Sequence, residues 1–176
     1  TQKSLCLVSG MADEIDPTHP SIKGVRDANT TGGNIVSFNA AAFCSFGKAQ
    51  GANAPVGKAA SFAYTTALNT LLGKDSKQKL QVGDATTVFW SEKKDELEET
   101  FGDFWSYPPK DDPNRLCNAV AALFTSVGTG AYSTDADDTK FFVLGLSPNA
   151  ARISVRFWYN ATVAEMAAHI RTYFED

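Results

Sequence analysis

The stretch Phe141–Asn160, FFVLGLSPNAARISVRFWYN, constrains the fold more than any other part of the chain. Its first half, Phe141–Leu146, is an almost unbroken apolar run, which is typical of a strand buried on both faces. The residues Ser-Pro-Asn at 147–149 then predict a turn. From Arg152 to Phe157 polar and apolar side chains alternate, as in a strand with one wet and one packed face. The stretch therefore predicts two neighbouring strands of a sheet.

The predicted wet face of the second strand carries two arginines with a serine between them, Arg152, Ser154 and Arg156. A guanidinium group matches phosphate or carboxylate bidentately, so this face suits phosphate binding. The alternative is that these arginines only pair with carboxylates of a neighbouring helix, since surface charges on strands are common.

A chain of 176 residues fits one domain with a sizeable core. It has neither an apolar run long enough to span a bilayer nor a signal-peptide pattern, so we expect no membrane contact. The cysteine usage described next predicts a cytoplasmic protein. The cysteines Cys6, Cys44 and Cys117 are far apart in apolar surroundings and read as reduced core residues. Because the chain begins at Thr1 directly with a strand-like run, we expect it to be a fragment of a larger subunit.

The net charge of −4 is unevenly distributed along the chain. Residues 1–90 hold eight Lys or Arg and six Asp or Glu, whereas residues 91–176 hold eight and fourteen. Between residues 17 and 60, four basic side chains face a single acid, Asp27. The acidic total argues against a free-standing nucleic-acid binder, but a local basic patch inside a larger assembly remains compatible with it.

Hydrophobic periodicity and turn residues predict a single α/β (α+β) domain. We expect a mixed, mainly antiparallel sheet of about five or six strands, with about four helices packed on it. Besides the strand pair above, the predicted strands are Lys3–Ser9, Asn34–Asn39, Lys79–Val82 and Ala85–Trp90. The predicted helices are Lys58–Leu72, Ser91–Phe101 with Ser91 as N-cap, one from Asp112 to Val127, and a last one opened by a Thr162–Glu165 capping box.

The loop Ile22–Gly33 is polar, contains glycine, and carries Lys23 and Arg26. Backbone N–H groups, short polar side chains and two cations are the parts of a phosphate-contacting loop. A plain surface connection explains the same residues equally well. Neither a P-loop nor a dinucleotide fingerprint is present.

An acidic loop, Ala12–Pro20, holds Asp13, Asp16 and His19 close together. With Asp84 these residues define an alternative function, a metal-dependent nuclease or hydrolase. A solvated acidic loop and a structural turn aspartate are the simpler interpretation. Since no hydrolase, Walker or zinc-ribbon motif occurs, we expect a protein without catalytic residues, metal or cofactor.

Five stretches in order resemble the large subunit of the type I-C CRISPR interference (Cascade) complex. They are THPSIKGV (18–25), NIVSFNAAAF (34–43), GKAQGANAPVGKAASFAYTTALNTLL (47–72), GDATTVFW (83–90) and FFVLGLSPNAARISVRFW (141–158). The matched stretches are similar to the middle portion of that subunit. The resemblance implies a non-catalytic part of an RNA-guided surveillance complex in antiviral defence. Its partners would be CRISPR RNA with the backbone and cap subunits, target DNA, and a helicase–nuclease recruited in trans.

Candidate nucleic-acid contacts follow from charge and hydrogen-bonding capacity, and we expect them to position the nucleic acid without reading its sequence. The resemblance marks Lys23, Asn53 and the turn 147–152 as motif positions without assigning their contacts. A third reading is a pure protein–protein scaffold, in which the arginines pair with other subunits. The predicted contacts are Lys23, Arg26, Asn34, Lys48, Asn53, Arg152 and Arg156.

Overall fold

The computed structural model describes residues 3–105, 120–122 and 138–175. Residue contacts divide the chain into two compact units. Unit 1 comprises Thr1–Ser76 with Leu146–Val155, and unit 2 comprises Lys77–Gly145 with Arg156–Asp176. The single domain expected from the length of the chain remains a prediction.

A two-stranded antiparallel sheet opens unit 1, formed by β1 (Lys3–Leu5) and β2 (Ala12–Glu14). The predicted core strand Lys3–Ser9 is wrong beyond its first three residues. The chain turns back at once, because the amide of Cys6 donates to the carbonyl of Met11 over 2.9 Å and closes a tight hairpin. Cys6 is buried, whereas the β1 side chains and the residues after Cys6 are exposed.

The helix α1 (Lys58–Leu71) follows in unit 1 and ends one residue before the predicted end. Two short 3-10 turns precede it at Ala41–Phe43 and Gln50–Asn53. The buried apolar residues of unit 1 are Cys6, Ile22, Val25, Val56, Leu68, Leu72, Leu146 and Ile153.

The predicted strand Asn34–Asn39 is wrong, although its first residue forms an isolated parallel bridge with Arg152. The side chain of Asn34 donates a 2.5 Å hydrogen bond to the carbonyl of His19. Asn34 is therefore held by two different segments, and beyond it the backbone has no strand partner among the described residues.

A four-stranded antiparallel sheet has the order β3 (Lys79–Val82), β4 (Ala85–Ser91), β5 (Lys140–Asn149) and β6 (Arg152–Thr162). The β3–β4 hairpin turns at Gly83, whose φ of +58° is in the left-handed region. β5 is longer than predicted and includes the residues 147–149 that were expected to turn. The turn lies one step later, at Ala150, where φ is +54°.

The β5–β6 pair confirms the buried first strand and corrects part of the second. Residues 143–147 are all buried. On β6 Ile153 is buried as predicted, but Val155 and Phe157, assigned to the same packed face, are 48% and 37% exposed.

Among the described residues, unit 2 contains the helices α2 (Glu96–Thr100) and α3 (Val163–Glu175). The predicted N-cap Ser91 is wrong: it ends β4, and α2 is capped by Asp95, which accepts a 2.7 Å bond from the amide of Leu97. The capping box before α3 is confirmed, because Thr162 and Glu165 each accept a bond from the other's backbone amide. Residues 120–122 are helical. The rest of the helix predicted from Asp112 lies outside the described residues.

Unit 2 has an aromatic core in which Phe89, Phe101 and Phe141 contact one another. The buried cluster as a whole comprises Phe89, Leu97, Phe101, Phe104, Phe141, Val143, Val163, Met166, Ala167 and Ile170. The six strands and the helices of the described residues together make the predicted mixed α/β fold. Within the described ranges, no helix has the length and apolarity needed to cross a membrane.

Candidate nucleic-acid interface

The predicted phosphate-contacting loop of unit 1 is closed at its base. Ile22 and Gly33 exchange two backbone hydrogen bonds of 2.8 and 3.0 Å. A Cβ at Gly32 would lie 2.6 Å from the carbonyl oxygen of Ile22, and φ at Gly32 is +87°. Only glycine fits this conformation at this distance. The segment is thus a closed surface loop with neighbouring ends.

The same loop is attached to the C-terminal end of α1. The amide of Lys23 donates a 2.8 Å bond to the side-chain oxygen of Asn69, whose Nδ2 in turn donates to the carbonyl of Ser21 over 3.1 Å. Gly24 approaches the end of the helix so closely that a Cβ would lie 2.5 Å from the carbonyl oxygen of Leu72. The position of Lys23 is therefore fixed by α1.

An open groove of about 700 Å³ lies between this loop and the helix end. It carries two cations, the predicted Lys23 and the unpredicted Lys74, and no carboxylate is among the described residues that line it. The hydroxyl groups of Ser21 and Thr31 accompany the two ammonium groups, so a phosphate in the groove would meet both positive charge and hydrogen-bond donors. The lining residues are Ser21, Lys23, Gly24, Thr31, Asn69, Leu72, Gly73 and Lys74.

Lys74 carried one usable signal in the sequence: it follows Gly73, directly after the predicted helix Lys58–Leu72. In the structure Lys74 borders the groove. The remaining predicted cation of the loop, Arg26, is exposed, and its guanidinium lies 3.6 Å from the carboxylate of Asp27.

Asn53, predicted as a nucleic-acid contact, stabilises its own loop instead. Its Oδ1 accepts a 2.9 Å bond from the amide of Ser45, and its Nδ2 donates to the carbonyls of Lys48 and Gln50. The side-chain amide is thereby committed to the backbone of residues 45–50. Lys48, in contrast, lines a second cavity of about 560 Å³ in unit 1.

Asn34 and Arg152 are brought together by the parallel bridge, and the amide of Ile153 donates to the carbonyl of Asn34 over 3.1 Å. The guanidinium of Arg152 lies 4.6 Å from the ring centre of Phe43, which is a cation–π contact. Asn34 is thus a structural residue. Arg152 remains a half-exposed cation next to an aromatic ring.

Arg156 belongs to unit 2, where its Nη2 donates a 2.5 Å bond to the carboxylate of Asp84. The guanidinium holds the pKa of Asp84 below its usual range, through the hydrogen bond first and the opposite charge second. Arg156, a predicted nucleic-acid contact, and Asp84, a residue of the alternative hydrolase site, are therefore bonded to each other.

The acidic residues of the alternative metal site lie at the N-terminus of α1. The Oδ2 of Asp13 accepts a 3.4 Å bond from the amide of Ala59, and Asp16 accepts a 2.5 Å bond from the hydroxyl of Ser61. Glu14 forms a 2.9 Å ion pair with Lys58, which raises the pKa of that lysine. Carboxylates at this end of a helix complement its unpaired N–H groups and its dipole.

His19 is 5% exposed and shares a 2.6 Å hydrogen bond between its Nδ1 and the hydroxyl of Tyr64. Burial lowers the pKa of His19, and Asp16 partly opposes this shift. Burial, with Asp16 as a second cause, raises the pKa of Tyr64 to about 12. In residues 3–105, 120–122 and 138–175, no three His, Cys, Asp or Glu side chains are grouped to hold a metal ion.

The charges of the two units differ in sign. Counted from the sequence, unit 1 holds seven Lys or Arg and five Asp or Glu, whereas unit 2 holds nine and fifteen. Three of the five acids in unit 1 are used at the N-terminus of α1. Unit 1 is therefore the basic part of an acidic chain. It contains the groove, the loop Ile22–Gly33 and the loop of residues 45–50.

The fold and this groove define a mixed α/β protein with a basic, loop-built surface in one unit. Over residues 1–176 the chain matches the family model described as CRISPR-associated protein (Cas_Csd1), and it belongs to that family. A comparison with curated proteins gives no match.

Proposed function

We propose that this chain is a non-catalytic part of the large subunit of a type I-C CRISPR surveillance complex. In that role it supports target DNA recognition and complex assembly in the cytoplasm. Membership of the CRISPR-associated family supports the general role, and the five stretches given above favour this particular subunit. The proposed partners are CRISPR RNA with the backbone and cap subunits, target DNA, and a helicase–nuclease recruited in trans.

The observation that carries the proposal is the groove between the loop Ile22–Gly33 and the end of α1. Two lysines, Lys23 and Lys74, border it in the unit with a positive balance of charge. Lysines and hydroxyl groups contact phosphates regardless of the base sequence, so this surface would position the nucleic acid. In an RNA-guided complex the sequence itself is read by base pairing.

The experiment is charge reversal in the groove. We expect Lys23→Glu together with Lys74→Glu to weaken binding of labelled DNA by at least about tenfold at low salt, because two attractive contacts become repulsive. Lys93→Glu together with Lys140→Glu is the matched control, since it makes the same charge change on exposed lysines of unit 2. Equal losses in both double variants would mean that the groove is no binding site.

A protein–protein scaffold is the second candidate function. It is favoured by the internal engagement of Arg156 with Asp84 and by the acidic balance of unit 2. In this case Arg152 pairs with another subunit, and the target DNA is bound by other parts of the complex.

A further inference from the structure

Phe46 has an unusual backbone and an unusual environment at the same position. Its φ of +52° is in the left-handed region, where a bulky side chain is rare, and its side chain is 99% exposed. Burial therefore cannot be what stabilises this conformation. Strain of this kind persists where the surrounding structure determines it, and it is concentrated at functional sites.

The surrounding hydrogen bonds hold the loop in this shape. The amide of Ser45, directly before Phe46, donates to Oδ1 of Asn53 over 2.9 Å, and the amide of Lys48 donates to the carbonyl of Ser45 over 2.9 Å. The Nδ2 of Asn53 also donates to the carbonyl of Gln50 over 2.9 Å. The ring of Phe46 is thus presented to solvent from a fixed backbone.

The residues next to Phe46 in the sequence indicate what kind of ligand its ring contacts. Ser45 and Gly47 are small, so a flat molecule can approach the ring closely. Lys48 is the only charged residue between positions 40 and 57. Lysine is depleted in the buried centres of protein interfaces, whereas an aromatic ring next to a cation is the usual arrangement for stacking a base and holding its phosphate.

We propose that Phe46 is a base-stacking site, at which an unpaired nucleobase lies against the ring while Lys48 contacts a neighbouring phosphate. This inference rests on the proposed function and adds the kind of nucleic acid bound, one with at least one unpaired base. Every base has an aromatic face, so the site tolerates any sequence. It also differs in chemistry from the groove at Lys23 and Lys74, which has no aromatic ring among the described residues that line it.

The test compares a single-stranded DNA oligonucleotide with an abasic one of the same length, which keeps the phosphates and lacks the bases. We expect Phe46→Ala to lower the affinity for the base-containing strand about 5- to 150-fold and to leave the abasic strand unchanged. Phe46→Tyr should retain most of the affinity. Phe62→Ala, on an exposed phenylalanine of α1 in the same unit, is the control and should change neither affinity. The same affinity measurement with an RNA strand of the same sequence shows whether the site prefers an unpaired base of DNA or of RNA.

A second variant separates stacking from folding. Phe46→Gly removes the ring but suits the left-handed backbone better, so it should unfold at a higher temperature and still lose the base-dependent affinity. Equal affinities of Phe46→Ala and the unaltered chain for the base-containing strand would overturn the inference. So would a defect confined to assembly with protein subunits, because the ring would then be a protein anchor. If the unaltered chain binds neither oligonucleotide at low salt, the DNA-contacting part of the proposed function fails as well, and the protein–protein scaffold is the function that remains.

Discussion

The backbone amide of Lys23 donates a 2.8 Å hydrogen bond to the side-chain oxygen of Asn69. Asn69 lies in the last turn of α1, 46 residues after Lys23 in the sequence. This hydrogen bond therefore fixes the backbone position of Lys23 relative to the helix end. The loop Ile22–Gly33 and the helix end thereby form one surface, and the groove between them depends on their close packing.

Gly24 is the position at which this packing is tightest. We expect Gly24→Ala to lower the free energy of unfolding by about 2–5 kcal/mol, because a left-handed alanine is strained and its Cβ would overlap the helix end. Gly10→Ala is the control: φ is also positive there, but nothing lies within 4 Å of the added Cβ. Its cost should be about 1–2 kcal/mol. Equal losses in chemical denaturation would show that the loop does not pack against α1 as described.

Asn53 stabilises the loop that carries Phe46. Asn53→Ala removes its hydrogen bonds to Ser45, Lys48 and Gln50, and should cost about 1–3 kcal/mol. Limited proteolysis should then cut within residues 45–50 sooner than in the unaltered chain. Asn39→Ala, on an exposed asparagine of the same unit, should leave both the stability and the cleavage rate unchanged. Unchanged cleavage in Asn53→Ala would contradict the assigned role.

His19 gives the fold a defined pH dependence. Burial lowers the pKa of its folded-state imidazole from the usual 6.5. Below that pH the unfolded ring takes up a proton that the folded ring does not bind, so stability present above 6.5 is lost as the pH falls toward the folded pKa. We expect the unaltered chain to lose more unfolding free energy than His19→Gln between about pH 8 and pH 5.5. Parallel losses in the two proteins would exclude this contribution.

A substitution at Arg152 distinguishes the two candidate functions, DNA contact and protein–protein scaffold. If the chain contacts DNA through this arginine, Arg152→Glu should weaken DNA binding and reduce its salt dependence. If it serves as a scaffold, the same change should impair assembly with the other subunits and leave the salt dependence of DNA binding unchanged. Phe43→Leu is a useful companion, since it removes the ring under the guanidinium and keeps the charge. DNA binding by both variants equal to that of the unaltered chain would remove Arg152 from the interface.

Local patterns in the sequence predicted the elements that depend on neighbouring residues. Hydrophobic periodicity predicted α1 to within one residue, and the predicted strands Lys79–Val82 and Ala85–Trp90 form the β3–β4 hairpin. The capping box at Thr162 predicted the start of α3, because both of its hydrogen bonds are formed within four consecutive residues. The mixed α/β class follows from these elements.

Features that depend on distant partners could not be predicted in this way. Asp84 and Arg156 are 72 positions apart in the sequence, and local patterns do not show that they pair. Each charge was therefore predicted as a candidate for contact with a ligand. The Asn34–Asn39 segment has the composition of a strand, but the side chain of Asn34 donates to the carbonyl of His19 and its own carbonyl accepts from the amide of Ile153. Asn53 was expected to face a ligand, whereas its amide satisfies backbone groups of its own loop. Lys74 was overlooked because its neighbours in the groove come from another loop.

The most direct test of the groove is the salt dependence of DNA binding by the unaltered chain and by Lys23→Ala and Lys74→Ala. Each lysine that contacts a phosphate releases counterions, so affinity should fall steeply as salt rises. Each substitution should make the slope of log affinity against log salt shallower by about one, and Lys93→Ala in unit 2 should leave it unchanged. An unaltered chain that binds no DNA at low salt, or slopes that neither substitution changes, would contradict a phosphate-binding groove.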